Sequence, residues 1–72
     1  MKKAIEELNK KYNIDVWAER NRYDVYDHRA GYFTRISGLV NGTIVCVIKH
    51  KNDNINNVLE DLENQIKKAL GI

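Results

Sequence analysis

A chain of 72 residues supports one domain at most, because a domain of this size buries only about 60% of the surface its unfolded chain exposes. Twelve Lys and Arg against ten Asp and Glu leave a net charge of +2, too little by itself to imply a nucleic-acid partner. One cysteine excludes an internal disulfide, and no apolar stretch approaches the roughly 18–20 residues that span a bilayer, so a membrane partner is not expected.

Along the chain, residues 2–12 read as a first helix. Ile5, Leu8 and Tyr12 recur at helical spacing with Ala4 beside them, and Glu6–Lys10 and Glu7–Lys11 are i,i+4 pairs in the favourable order. The basic opening has no apolar run behind it, which reads against a signal peptide. Asn13 is a fitting stop, since asparagine tolerates the left-handed conformation at a helix end. From Ile14 the period becomes two: Ile14, Val16 and Ala18 alternate with Asp15, Trp17 and Glu19. A second alternating piece covers residues 23–27. The two pieces are either separate strands with a tight turn at Asn21 or one irregular strand. Residues 28–31 then form a loop.

The strongest local signal is Asn41-Gly42 between two apolar runs, the preferred pair for a type I′ hairpin turn because both residues accept positive φ. A two-residue turn sets Val40 opposite Thr43 and fixes the two faces outward from there. Phe33, Arg35, Ser37 and Leu39 share one face with Ile44, Cys46, Ile48 and His50. Ile36, Val40, Val45 and Val47 lie on the other. The bulkier set (Phe33, Leu39, Ile44, Cys46, Ile48) is expected to meet the helices, with Cys46 acting as a small core hydrophobe. That leaves Ile36, Val40, Val45 and Val47 as an open apolar face and a candidate protein interface.

The last element is an amphipathic helix. Asn52, Asp53 and Asn54 supply candidate N-caps, and Gly71 a C-terminal cap. Ile55, Val58, Leu59, Leu62, Ile66, Ala69 and Leu70 form its apolar stripe, with Lys67 and Lys68 near the end where they suit the helix dipole. Each helix has one apolar stripe, so both are expected on the same face of the sheet. The fold class is α+β, in the order α-β-β-β(-β)-α, with an antiparallel sheet and two helices packed on one face.

Chemistry finds little footing in these residues. Cys46 and His50 share a strand face but stand roughly 13 Å apart, beyond the reach of a catalytic pair. Two histidines distant in sequence and one cysteine offer no metal-ligand spacing. No Gly-rich phosphate loop is present, and no cofactor or small-molecule substrate is indicated. The residues point to binding rather than catalysis. Aromatic Trp17, Tyr23, Tyr26, Tyr32 and Phe33 are interleaved with Arg20, Arg22, Arg29 and Arg35, a mixture that can stack bases and hold phosphates. Acidic Asp15, Glu19, Asp24 and Asp27 offset much of that charge. Between His28 and Asn52 there is no Asp or Glu, while Arg29, Arg35, Lys49 and Lys51 all fall there.

Order and spacing resemble the double-stranded-RNA-binding domain, over almost the whole chain. The resemblance rests on the first helix "AIEELNKKY", on His28 followed by Phe33, on the turn "VNG" at 40–42 and on the closing "IKKALG". It implies helices on one sheet face, with RNA contacts from the first helix, the loop after the first strand and the start of the last helix. His28 would then correspond to the loop residue that enters the minor groove, with Glu6 or Asn9 facing the same groove. The chain departs from the family where a lysine cluster should open the last helix: "KNDNINN" stands there, and the Gly-Pro before the histidine is missing.

Two binding functions follow. One is a nucleic-acid module holding duplex RNA or DNA with His28, Arg29, Arg35, Lys49, His50 and Lys51. The other is a protein-interaction module, either a homodimer or a small inhibitor of a larger protein, using Ile36, Val40, Val45 and Val47. A lone cysteine suits a reducing, cytoplasmic setting, and a chain rich in Asn, Ile and Lys suits a small phage or mobile-element protein.

Overall fold

The computed structural model describes residues 2–22 and 32–72. Helix α1 (Lys2–Tyr12) leads into strands β1 (Val16–Arg22), β2 (Tyr32–Val40) and β3 (Thr43–Lys49), and helix α2 (Ile55–Leu70) closes the chain. The three strands form one antiparallel sheet in the order β1-β2-β3, with both helices contributing to a single apolar cluster on one side. The fold class read from sequence therefore holds. His28, Arg29 and the 23–27 and 28–31 segments lie outside the described residues.

The local signals do their expected work. Asn13 takes φ 53, and the Ile14 N–H donates to the Asn9 carbonyl at 3.1 Å, ending α1. At the hairpin, Asn41 and Gly42 adopt φ 50 and 77, and Val40 pairs with Thr43. The Asn41 side chain also donates to the Ala69 carbonyl at 3.1 Å, giving one of the orphan acceptors at the end of α2 a partner. Asn54 caps α2, its Oδ1 accepting from the Asn56 N–H at 2.9 Å. At the other end Gly71 is left-handed, and the N–H groups of Gly71 and Ile72 donate back to Lys68 and Lys67.

Of the two readings left open for residues 14–27, the one with a tight turn at Asn21 does not hold. Asn21 does not reverse the chain: β1 runs straight through it, with Asn21 opposite Phe33 and Arg22 opposite Tyr32. The ladder to β2 satisfies the backbone here, so no local turn is needed.

The hairpin register is as read from Asn41-Gly42, but its faces are inverted. Ile36, Val40, Val45 and Val47 are buried, all at or below 6% exposure, and pack with Ile5, Val16, Leu62 and Ile66. Leu39, Ile44 and Ile48 instead face outward at 64%, 77% and 45%, and Cys46 is exposed beside them. Polarity, not bulk, decides the matter. The buried set offers uninterrupted apolar positions, whereas the outward face carries Arg35 and Ser37 on the central strand, which burial would strip of water. The proposed protein interface of Ile36, Val40, Val45 and Val47 is thus the hydrophobic core, and Cys46 is not part of it.

Gly38 shows how the core side closes. It lies opposite Val16, and a Cβ at Gly38 would sit 2.7 Å from the Asp15 carbonyl oxygen and from Val16 Cγ1. Absence of that Cβ lets the start of β1 lean across the sheet, placing Val16 at 2% exposure within the core.

Candidate functional site: the open face of the sheet

Alternation along the three strands assigns the side opposite the helices. Cross-strand pairing builds three successive rows on it: Leu39 with Ile44; Trp17 with Ser37 and Cys46; Glu19 with Arg35 and Ile48. Asn21 and Phe33 follow, and the Phe33 ring lies 6.3 Å from that of His50. Trp17 is 48% exposed, so four large apolar side chains lie open on one surface. Antiparallel sheets tolerate a solvated face, but such a face ordinarily carries polar residues.

A compact polar unit interrupts the apolar surface. Glu19 accepts from the Trp17 indole N–H at 2.9 Å through Oε1 and from the Arg35 guanidinium at 2.7 Å through Oε2. Both hydrogen bonds favour its charged form, first the one from Trp17 and then that from Arg35, and hold its carboxyl below the ordinary value. The arrangement pins the Trp17 ring and cancels the charge of Arg35. Trp and Arg are also the residue types most often found anchoring protein contacts.

The edges of this sheet are guarded by matching devices. Asn9 on α1 donates through Nδ2 to the Val16 carbonyl at 3.0 Å and accepts the Val16 N–H at 2.9 Å. On the far side Gln65 of α2 does the same to Cys46, with both bonds at 2.9 Å. Each amide thus occupies one outward-facing N–H and C=O pair that an incoming strand would otherwise use. The resemblance offered Asn9 as a groove-facing residue of the first helix, not as a clip on β1, and Gln65 carried no signal, because a clip depends on contacts distant in sequence.

Among the described residues, the expected basic group does not form one cluster. Arg35 lies on the open face, committed to Glu19. Lys49 falls on the opposite, helix side by strand alternation, its amine donating to the His50 carbonyl at 3.2 Å. The His50 N–H is bound by Asp53 at 2.8 Å, and Lys51 is exposed in the turn that follows. Sequence reasoning joined these residues because they neighbour one another along the hairpin; the pleat separates them. A different basic group appears on the helix side, where Arg20, Thr34 and Lys49 form a cross-strand row and the Arg20 guanidinium lies 4.6 Å from the centre of the Tyr32 ring.

Between the helices, Lys11 and Tyr12 of α1 both reach Glu63 of α2, the ammonium at 3.0 Å and the phenol at 2.7 Å. Beside this contact lies a shallow cleft of about 380 Å³ floored by Ala4, Leu8 and Leu59. Among the described residues, no three His, Cys, Asp or Glu side chains come together as metal ligands, and no helix is long and apolar enough to cross a membrane. No protein-family model matches the chain, and no curated protein or solved structure matches it.

Proposed function

We propose that this chain is a non-catalytic binding module that docks a partner protein on the open face of its sheet. The observation that carries the reading is the outward exposure of Leu39, Ile44, Ile48 and Trp17 on a face that neither helix covers. Large apolar side chains exposed together in this way are costly to leave in water and mark interaction sites. The Glu19–Arg35 pair supports the same conclusion, since it neutralises the guanidinium that, among the described residues of this face, could have drawn a phosphate.

A second reading keeps nucleic acid as the partner, on the opposite side of the sheet. It is supported by the Arg20–Tyr32 stack with Lys49 in the same row, a basic-aromatic combination suited to backbone and base contacts. The resemblance to the double-stranded-RNA-binding domain also points to nucleic acid, though through the family's first helix, the loop after its first strand and the start of its last helix rather than this row.

A native mass measurement of the purified protein separates the two. Docking on the open face predicts a protein mass on the wild type that Ile44→Glu removes while the circular-dichroism spectrum is unchanged. A bound nucleic acid that Lys49→Glu with Lys51→Glu strips off, and that added salt releases, overturns the docking reading.

A further inference from the structure

We infer that the open face is covered by a second copy of this chain, the two sheets packing face to face about a two-fold axis that lies in the plane of the contact and runs across the strands. The inference rests on the docking reading above and names its partner.

Clipped edges hinder one way in which two copies can meet. Asn9 holds the outward backbone groups of Val16, and Gln65 those of Cys46, so extension of the sheet strand by strand meets one occupied N–H and C=O pair on each side. The face remains. It also suits a copy of itself. A two-fold contact sets the same patch against itself, so a face with net charge would repel its own image. Here, among the described residues, Glu19 and Arg35 cancel within one chain, and each is already hydrogen-bonded before any partner arrives. A neutral face gives a strongly charged partner nothing to steer by, yet meets its own copy without repulsion.

Register selects the axis. A two-fold along the strands would lay β2 over β2 and bring Arg35 against Arg35. Across the strands, between the row of Trp17, Ser37 and Cys46 and the row of Glu19, Arg35 and Ile48, it exchanges those rows instead. Cys46 then faces Ile48 of the second copy, Ser37 faces Arg35, and Leu39 meets Phe33 beyond them. No like charges are opposed. Packed sheets lie about 10 Å apart, so the two Cys46 Cα atoms would stand roughly 12 Å from one another.

Size sets the expected strength. Three strands about 4.8 Å apart and seven residues long give a footprint of roughly 300 Å² per copy before side-chain relief is counted. With that relief the buried area is on the order of 1,000 Å² in total, near the lower bound for a specific interface, which makes the dimer one that dissociates on dilution.

Sedimentation equilibrium across the micromolar range tests this, together with cross-linking by a short bismaleimide, for which Cys46 is the chain's sole thiol. The wild type should pass from monomer to dimer with concentration, and the linker should trap one dimer band. Ile44→Glu and, separately, Leu39→Lys should weaken association by at least about 30-fold with folding intact, since both side chains are exposed in the monomer. A wild type monomeric throughout overturns the second copy alone, and the docking reading then stands or falls on the native mass measurement. A dimer that survives both substitutions uses another surface, which overturns the second copy on this face and again leaves the docking reading to the native mass measurement.

Discussion

At position 38 a hydrogen stands where any other residue would place a carbon 2.7 Å from the Asp15 carbonyl oxygen and 2.9 Å from Val16 Cα. Two of these contacts are backbone atoms, which cannot swing aside as a flexible side chain can. Gly38→Ala should therefore push the start of β1 off the sheet, loosen Val16 in the core and destabilise the fold by about 1–3 kcal/mol. Urea unfolding would register this as a lower midpoint, and an unchanged midpoint would show that β1 does not lean on Gly38. The same glycine was a legible cue to the sheet's orientation. It shares a face with Ile36 and Val40, and a glycine inside a strand marks a close approach by other backbone. Side-chain bulk pointed the wrong way, because Leu39, Ile44 and Ile48 outweigh the valines opposite them. Arg35 and Ser37 on the same face as those bulky residues outweigh that cue, since hydration of two central-strand polar groups costs more to remove than a few methylenes gain.

Among elements, both helices and the hairpin were legible because their signals are local. Asn13, Asn41, Asn54 and Gly71 each act on backbone within a few residues. The link between the helices was not, since Glu63 lies 51 residues from Tyr12 and 52 from Lys11. Hydrogen bonding from Tyr12, then from Lys11, lowers the Glu63 carboxyl from its ordinary 4.5, while Glu63 in turn raises the pKa of Lys11 and of Tyr12. A carboxyl depressed in the folded state contributes stability that is fully present above the unfolded value and is lost as pH falls through the folded one. Glu63→Gln should accordingly be less stable than wild type at neutral pH, with the gap narrowing as pH drops below about 4.5. Thermal unfolding of both proteins between pH 7 and 3 tests this, and a gap that is constant across the range would show that the charge of Glu63 does not hold α1 to α2.

At the scale of the whole fold, the three strands among the described residues leave two edges and one face that neither helix covers, and the chain treats them differently. Both edges receive a side-chain amide from a helix, at Val16 and at Cys46. The face receives none, and carries Ile44 at 77% exposure a residue pair away from the clipped Cys46. An apolar strand at an unguarded edge invites ordered addition of further chains, so in the proposed dimer Gln65 would separate a finite face-to-face contact from an open-ended one. Removing it isolates that role, because Gln65→Ala keeps a good helix former in α2 and leaves the apolar core positions untouched. The outward N–H and C=O of Cys46 would then be free to pair with another strand. We expect Gln65→Ala to lose about 1–2 kcal/mol of stability with its two hydrogen bonds, and on prolonged incubation to form thioflavin-positive aggregates faster than wild type. Adding Ile44→Lys to Gln65→Ala should suppress the aggregates, since a lysine on an edge strand blocks strand addition without restoring the clip. Aggregation of Gln65→Ala no faster than wild type would mean that the β3 edge needs no guard, and with it would go the reason for assigning association to the face.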